Sequence, residues 1–273
     1  MKTFLIPTDF SSASRNATEY GAQLARQFSA RLILFHSYMM PTPVSEVPYV
    51  MATVEEQQKE HEEALRKEAE YLQQQFSLDT EQIVRIGVAS DEVRELARDK
   101  NVDLVIMGIK GAGGLDKIIG STTINTIRKV KTPVLIIPHD ASFRAIKDIV
   151  YASDFSYKTD PGLFQPLTAL AEKFGAKIHI LNIEKRREKV TVGEMAGKTG
   201  AENIFEDMDH EYVTMASDSI THGINEYLQE KPGQLLAMVH HKHTFFERIF
   251  SRSDTTAMAY ETHIPLLVLH SKE

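Results

Sequence analysis

The sequence predicts an α/β protein of two tandem domains, each a doubly wound, mainly parallel sheet of five strands. Three observations carry that prediction. Short, near-continuous apolar runs alternate with segments of helical period, the same order of segments occurs twice, and a glycine-spaced loop follows the fourth apolar run. Strands this apolar belong in a sheet covered on both faces, and such sheets bind ligands at the carboxyl ends of their strands.

Phe4-Leu5-Ile6 reads as the first strand, and it runs into Pro7-Thr8-Asp9-Phe10-Ser11-Ser12, a cluster of cap and turn formers. A helix follows, because Ala17, Tyr20, Gly21, Leu24, Ala25 and Phe28 recur at intervals that make one apolar face. Arg31 to Phe35 is a second strand ending at His36, and the prolines at 41, 43 and 48 make 37–52 a loop. From Thr53 to Phe76 the pattern is a helix with Ala64, Leu65, Ala69, Leu72 and Phe76 inward and its many charges solvated. Ile83 to Ile86 is a third strand, Ser90-Asp91-Glu92 caps a helix to about Lys100, Val102 to Met107 is a fourth strand, and Val134 to Ile137 is a fifth.

The plan then repeats. Asp9-Phe10-Ser11 is echoed by Asp154-Phe155-Ser156, the stretch Leu24 to Arg31 by Leu170 to Lys177, and Thr132-Pro133-Val134-Leu135 by Ile264-Pro265-Leu266-Leu267. This places one domain at 1–140 and a second at 145–273, joined by a short polar linker near His139 to Arg144. Glu184 to Asn203, rich in charge and glycine, is an expected insertion.

Composition narrows the function classes. The 273 residues include no cysteine, which excludes disulfides, thiolate metal sites and cysteine nucleophiles. No apolar run approaches a membrane span and the start does not read as a signal peptide, so the cytoplasm is the expected compartment. A net charge of −7 argues against a general nucleic-acid binder. It does not argue against holding one nucleotide.

The stretch from Met107 to Thr123 is built as a phosphate cradle. Gly108, Gly111, Gly113 and Gly114 let backbone come close to a ligand, and Gly120-Ser121-Thr122 opens a helix whose N–H groups can face an anion. Glycines after a parallel strand also make tight turns with no ligand at all, and both readings stand at this point. Doubly wound topology brings Pro7-Thr8-Asp9 and His36-Ser37 to the same rim.

On these motifs the chain resembles the universal stress protein family in its tandem form, a Rossmann-like sheet of the adenine nucleotide alpha hydrolase-like type. The family's nucleotide-binding members carry Gly-x-x-Gly, nine residues, then Gly with Ser or Thr, together with an aspartate after the first strand. Here Gly108-Ile109-Lys110-Gly111 and Gly120-Ser121 match, with only eight residues, Ala112 to Ile119, between them. The resemblance implies that Thr8 and Asp9 hold an adenosine and that His36-Ser37 lies near the adenine. It implies that Gly108, Gly111, Gly120, Ser121 and Thr122 contact phosphates or ribose, flanked by Pro7, Met107 and Thr123. The implied cofactor is ATP or a related adenine nucleotide, with or without magnesium. A carboxylate repels phosphate, so Asp9 suits the nucleoside end, although it equally suits the start of a helix.

The second half departs from this pattern. Aligned on Met107 and Met238, Gly108 falls opposite Val239 and Gly111 opposite Lys242, while Arg252 stands for Gly120. Side chains there block backbone from approaching a phosphate, so this half is expected not to bind ATP in the family's manner. The replacing stretch, His240 to Arg248, has three histidines but no carboxylate or cysteine at ligand spacing, and reads as a basic contact loop rather than a metal site. No phosphate loop of the Gly-x-x-x-x-Gly-Lys type and no nucleophile elbow is present, so no catalytic residue is assigned. The leading expectation is a stress-response sensor or adaptor that binds nucleotide and an unidentified protein partner. The alternatives are a nucleotide-independent interaction module and a weak ATPase. The resemblance further implies pairing through last strands, so Val134 to Ile137 and Leu266 to Leu269 should meet inside one chain as a pseudo-dimer, with a further homodimer left open.

Overall fold

The computed structural model describes residues 1–40, 49–109, 121–153, 155, 160–185, 204–231, 234–240 and 264–271, with the side chains of 49–54 and 185 outside the description. The first half runs β1 (Thr3–Pro7), α1 (Ser12–Phe28), β2 (Arg31–Tyr38), α2 (Tyr49–Phe76), β3 (Thr80–Ile86), α3 (Ala89–Asp99), β4 (Leu104–Ile109), α4 (Ser121–Lys129) and β5 (Val134–Pro138). The second runs β6 (Asp148–Ala152), α5 (Pro161–Phe174), β7 (Lys177–Lys185), β8 (His210–Ser217), α6 (Ile220–Glu230), β9 (Leu235–His240) and β10 (Leu266–His270).

These strands form one sheet in the order β3-β2-β1-β4-β5-β10-β9-β6-β7-β8. Pairing is parallel within each half. Where the halves meet it is antiparallel, with Leu266 opposite Ile136, Leu267 opposite Leu135 and Val268 opposite Val134. The two last strands therefore pair as expected, and two edges that would otherwise expose unpaired backbone are covered.

Alternating side chains divide the core into two layers. Phe4, Ile6, Leu32, Leu34, Leu104 and Ile106 face α1 and α2, and this layer continues through Leu135 and Leu267 to Tyr151, which packs against Phe164 of α5. Leu5, Ile33, Phe35, Val105 and Met107 face the opposite way, toward Val93 and Leu96 of α3 and Ile127 of α4. Where α1 and α5 come together, Phe28 meets Phe174 edge-on at 6.3 Å and Tyr20 meets Phe143 at 5.2 Å. Asn16 donates to the carbonyls of Pro138 at 2.8 Å and Ala141 at 3.0 Å, which fixes the link between the halves.

Several boundaries differ from the pattern-based reading. β4 begins at Leu104, not Val102, because the Val102 amide closes the turn after α3 by donating to the Ala97 carbonyl at 2.9 Å. Helix α3 begins at Ala89 with Val88 as an N-cap that offers no side-chain bond. Ser90 is buried and accepts instead from Lys129 Nζ at 3.1 Å, so it ties α3 to α4 rather than capping. Helix α2 starts at Tyr49 and β7 runs on to Lys185, which leaves 186–203 of the expected insertion outside the described residues. No helix among the described residues is long and apolar enough to cross a membrane.

His270 ends β10 and reaches across the seam, where Nε2 donates to the Ile127 carbonyl of α4 at 2.8 Å. Burial, reinforced by the neighbouring His240, holds its pKa down at about 4 against an ordinary 6.5. The fold thus prefers the neutral ring, and the unfolded chain takes up the proton first. Stability is expected to fall by about 3 kcal/mol as pH drops from 6.5 to 4. Denaturant titrations of wild type and His270→Leu across that range check it, since a pH slope shared by both proteins would assign the loss to other groups.

Candidate functional site

Strand β1 ends in a turn that its own side chains hold. The Thr8 amide donates to the Phe35 carbonyl at 2.8 Å, and its hydroxyl accepts from the Phe10 amide at 3.1 Å. Phe10 takes a left-handed conformation, φ 62°, which costs a non-glycine residue about 1–2 kcal/mol and turns the chain sharply into α1. Ser11 is the N-cap, accepting from the Ser14 amide at 3.2 Å. The capping role open to Asp9 is therefore taken by Ser11.

Asp9 stands one step outside the helix, exposed, with Oδ1 accepting from the Ser11 amide at 3.0 Å. Burial alone would raise its pKa, but hydrogen bonds from the Ser11 hydroxyl and amide and from Ser14 outweigh that and hold it below the ordinary 3.8. At neutral pH it is an anion on the rim.

On β2 the two neighbouring candidates face opposite layers. His36 lies on the α1–α2 side, only 7% exposed, and its Nδ1 meets the Thr8 carbonyl at 2.8 Å. A carbonyl only accepts, so Nδ1 carries the proton and Nε2 is left to accept from His61 Nδ1 at 3.0 Å. Burial and the adjacent His61 hold the His36 pKa below the usual histidine value. Its ring is packed against Phe10 at 4.5 Å and His61 at 4.8 Å, and the stack continues to Tyr38. The imidazole therefore buttresses the Thr8–Phe10 turn from below, while Ser37, half-buried, is the residue on the other face. The part played by His61 is not visible as a motif, because twenty-five positions and a whole helix entry separate it from His36.

Pro7, Met107 and Gly108 sit where β1 and β4 end side by side, Met107 with its side chain buried toward α3 and α4. Gly108 is required by packing. A Cβ there would lie 2.2 Å from the Ala13 carbonyl oxygen and 2.6 Å from its carbon, so the first turn of α1 rests directly on the β4 backbone. Helix α4 opens with Ser121 and Thr122 exposed and Thr123 buried. Gly111, Gly120 and the loop 110–120 between β4 and α4 lie outside the described residues, as do Lys242, Arg248 and Arg252 in the second half.

The second half repeats the turn. Ser153 stands for Thr8: its amide donates to the Leu181 carbonyl at 2.9 Å and its hydroxyl accepts from Phe155, which is again left-handed at φ 54°. Asn182, one place after Leu181, donates to the Ser153 carbonyl at 3.1 Å as His36 does to Thr8. Asp154 itself lies outside the described residues. Val239, 2% exposed, occupies the position of Gly108, and α5 begins at Pro161 with Asp160 as its N-cap. Among the described residues no cluster of histidine, aspartate and glutamate is arranged to hold a metal.

Comparison with known proteins gives the geometry its context. A model of the universal stress protein family matches residues 1–138. A universal stress protein of Methanocaldococcus jannaschii is 28% identical over 145 residues, spanning 50% of this chain and 81% of that protein. One from Synechocystis is 30% identical over 141 residues, spanning 50% and 85%. Among solved structures, a universal stress protein from Archaeoglobus fulgidus superposes with a TM-score of 0.76 at 19% identity over 97% of both chains, a likeness of fold through both halves.

Gly108→Ala is expected to destabilise the protein by about 1–3 kcal/mol without any ligand present, because a methyl group must push α1 off β4. Chemical unfolding checks it, and an unchanged midpoint would mean that the glycine serves something other than packing.

Proposed function

The chain belongs to the universal stress protein family, and on that premise we propose that its first half binds ATP or a related adenine nucleotide and acts as a sensor or adaptor. The single observation that carries this is the shared rim. There the anionic, exposed Asp9 stands on a turn locked by Thr8, beside β4 ending at Gly108-Ile109 and α4 opening on exposed Ser121 and Thr122.

In this reading the Asp9 carboxylate accepts from ribose hydroxyls or the adenine amine, and Thr8, Pro7 and Ser37 line the nucleoside end. Phosphates lie away from that anion, between Gly111, Gly120 and the first amides of α4, where Ser121 and Thr122 add hydroxyl donors. His36 positions the turn and does not contact ligand. Residues 1–140 form the binding domain and 145–273 a second domain whose Val239, Lys242 and Arg252 replace the glycines. One nucleotide per chain follows. Binding stabilises one conformation of the protein and so changes the surface offered to a partner protein in the cytoplasm. Magnesium, if recruited, is held by the phosphates, since Glu68, a carboxylate that interacts with Asp9, is buried between α1 and α2.

Isothermal titration with ATP and magnesium tests this. Wild type is expected to take up one nucleotide per chain, Asp9→Ala to bind at least about tenfold more weakly, and Gly120→Val not at all. Absence of heat at millimolar ATP, or two equivalent sites per chain, would overturn the reading.

A further inference from the structure

Helix α2 carries a carboxylate on the face that should be apolar. Leu65, Ala69 and Leu72 point into the core, and Glu68, on the same stripe, is only 8% exposed. Its Oε1 has no hydrogen-bond partner, while the rest of the carboxyl faces the hydroxyls of Thr18 and Thr8. A buried and incompletely paired carboxylate is costly unless something completes it.

That group lines a cavity of about 760 Å³ between α1 and α2, within the size range of small-molecule sites. The walls beside Glu68 are apolar, made of Phe10, Ala64, Leu72 and the ring of Tyr71. Arg15, which also lines the cleft, offsets part of the cost of burying the Glu68 charge, Asp9 adds to that cost, and Glu63 and Glu19 are matched by other groups. Glu63 is held by Arg66 at 2.6 Å and Lys67 at 3.7 Å, and Glu19 accepts from the Tyr71 hydroxyl at 2.8 Å. Glu68 is thus the group at the bottom of an apolar-walled cleft whose charge a ligand would meet. The two oxygens exchange places by rotation about χ3, a soft torsion, so the unpaired one can turn toward the cavity.

We propose that this cleft is a second binding site, adjoining the Asp9 turn on its α1–α2 side, for a small organic cation with an apolar body, an ammonium or amidinium group donating to Glu68. A cation supplies the donor that Oε1 lacks and adds to the partial compensation from Arg15, and its hydrocarbon or aromatic part covers Phe10, Ala64 and Leu72. Burial raises the Glu68 pKa despite the nearby Arg15, and a cation at Oε1 would favour the ionised form. Phe10 is common to the cleft and to the Asp9 turn, and its left-handed backbone joins the two places.

The test uses the full chain without nucleotide, so its outcome does not depend on the rim. Phenethylammonium and its neutral isostere 2-phenylethanol are titrated and followed by calorimetry and by ligand-observed NMR. Wild type is expected to bind the ammonium at least about tenfold more tightly than the alcohol, and Glu68→Gln to remove that preference while keeping the fold. Ala64→Phe, which fills the cleft and leaves Glu68 in place, should abolish both. The proposal is overturned if the ammonium does not bind at millimolar concentration, if the alcohol binds equally well, or if Glu68→Gln retains the preference. If Glu68→Gln fails to fold, the ammonium-to-alcohol ratio in wild type and its loss in Ala64→Phe decide the matter.

Discussion

The antiparallel seam between β5 and β10 is the constraint on which the rest of the molecule rests. Each five-stranded unit is parallel throughout and ends on a strand, Val134–Pro138 or Leu266–His270, whose free edge would expose backbone amides and a flat apolar surface. Pairing Leu266, Leu267 and Val268 against Ile136, Leu135 and Val134 removes both edges at once. It also merges the two core layers across the chain, so that α1 and α5 pack through Phe28 and Phe174 on one face while His270 reaches α4 on the other. The outer strands β3 and β8 are left as the ends of the sheet.

Within that frame the two halves share a scaffold and differ at one critical contact. Both end their first strand in a hydroxyl-locked turn with a left-handed phenylalanine, Phe10 or Phe155, and both brace it from the second strand, by His36 or Asn182. The divergence is at the end of the fourth strand. Gly108 admits the first turn of α1 against bare backbone, whereas Val239 carries a buried side chain at the same place.

Much of this was legible in the residues. The alternation of apolar runs, the repeat of Asp-Phe-Ser, the glycine spacing from Gly108 to Gly120 and the Ser11 cap are local patterns, each read within a few positions. Topology alone assigns Asp9, Thr8, Ser121 and Thr122 to one rim, and β1 and β4, the strands that precede them, are neighbours in the sheet. What escaped were pairings across long separations. His36 reads as a ligand neighbour, yet its ring is spent on Thr8 and on His61 from another helix. The charges of α2 read as solvated, and Glu68 is the exception, detectable only as a glutamate three places after the inward Leu65. Ser90 reads as a cap and serves as the acceptor for Lys129.

The sequence by itself determined the fold class, the duplication, the family and the loss of the glycines in the second half, because each is a matter of period, spacing or residue identity along the chain. Only the tertiary structure decided what the individual polar groups do. Whether a histidine points to the rim or beneath it, whether a glycine serves a ligand or a helix, and whether a glutamate is solvated or buried depend on which layer of the sheet a side chain enters and what crosses above it. Those are set by packing between segments far apart in the chain, and no local pattern records them.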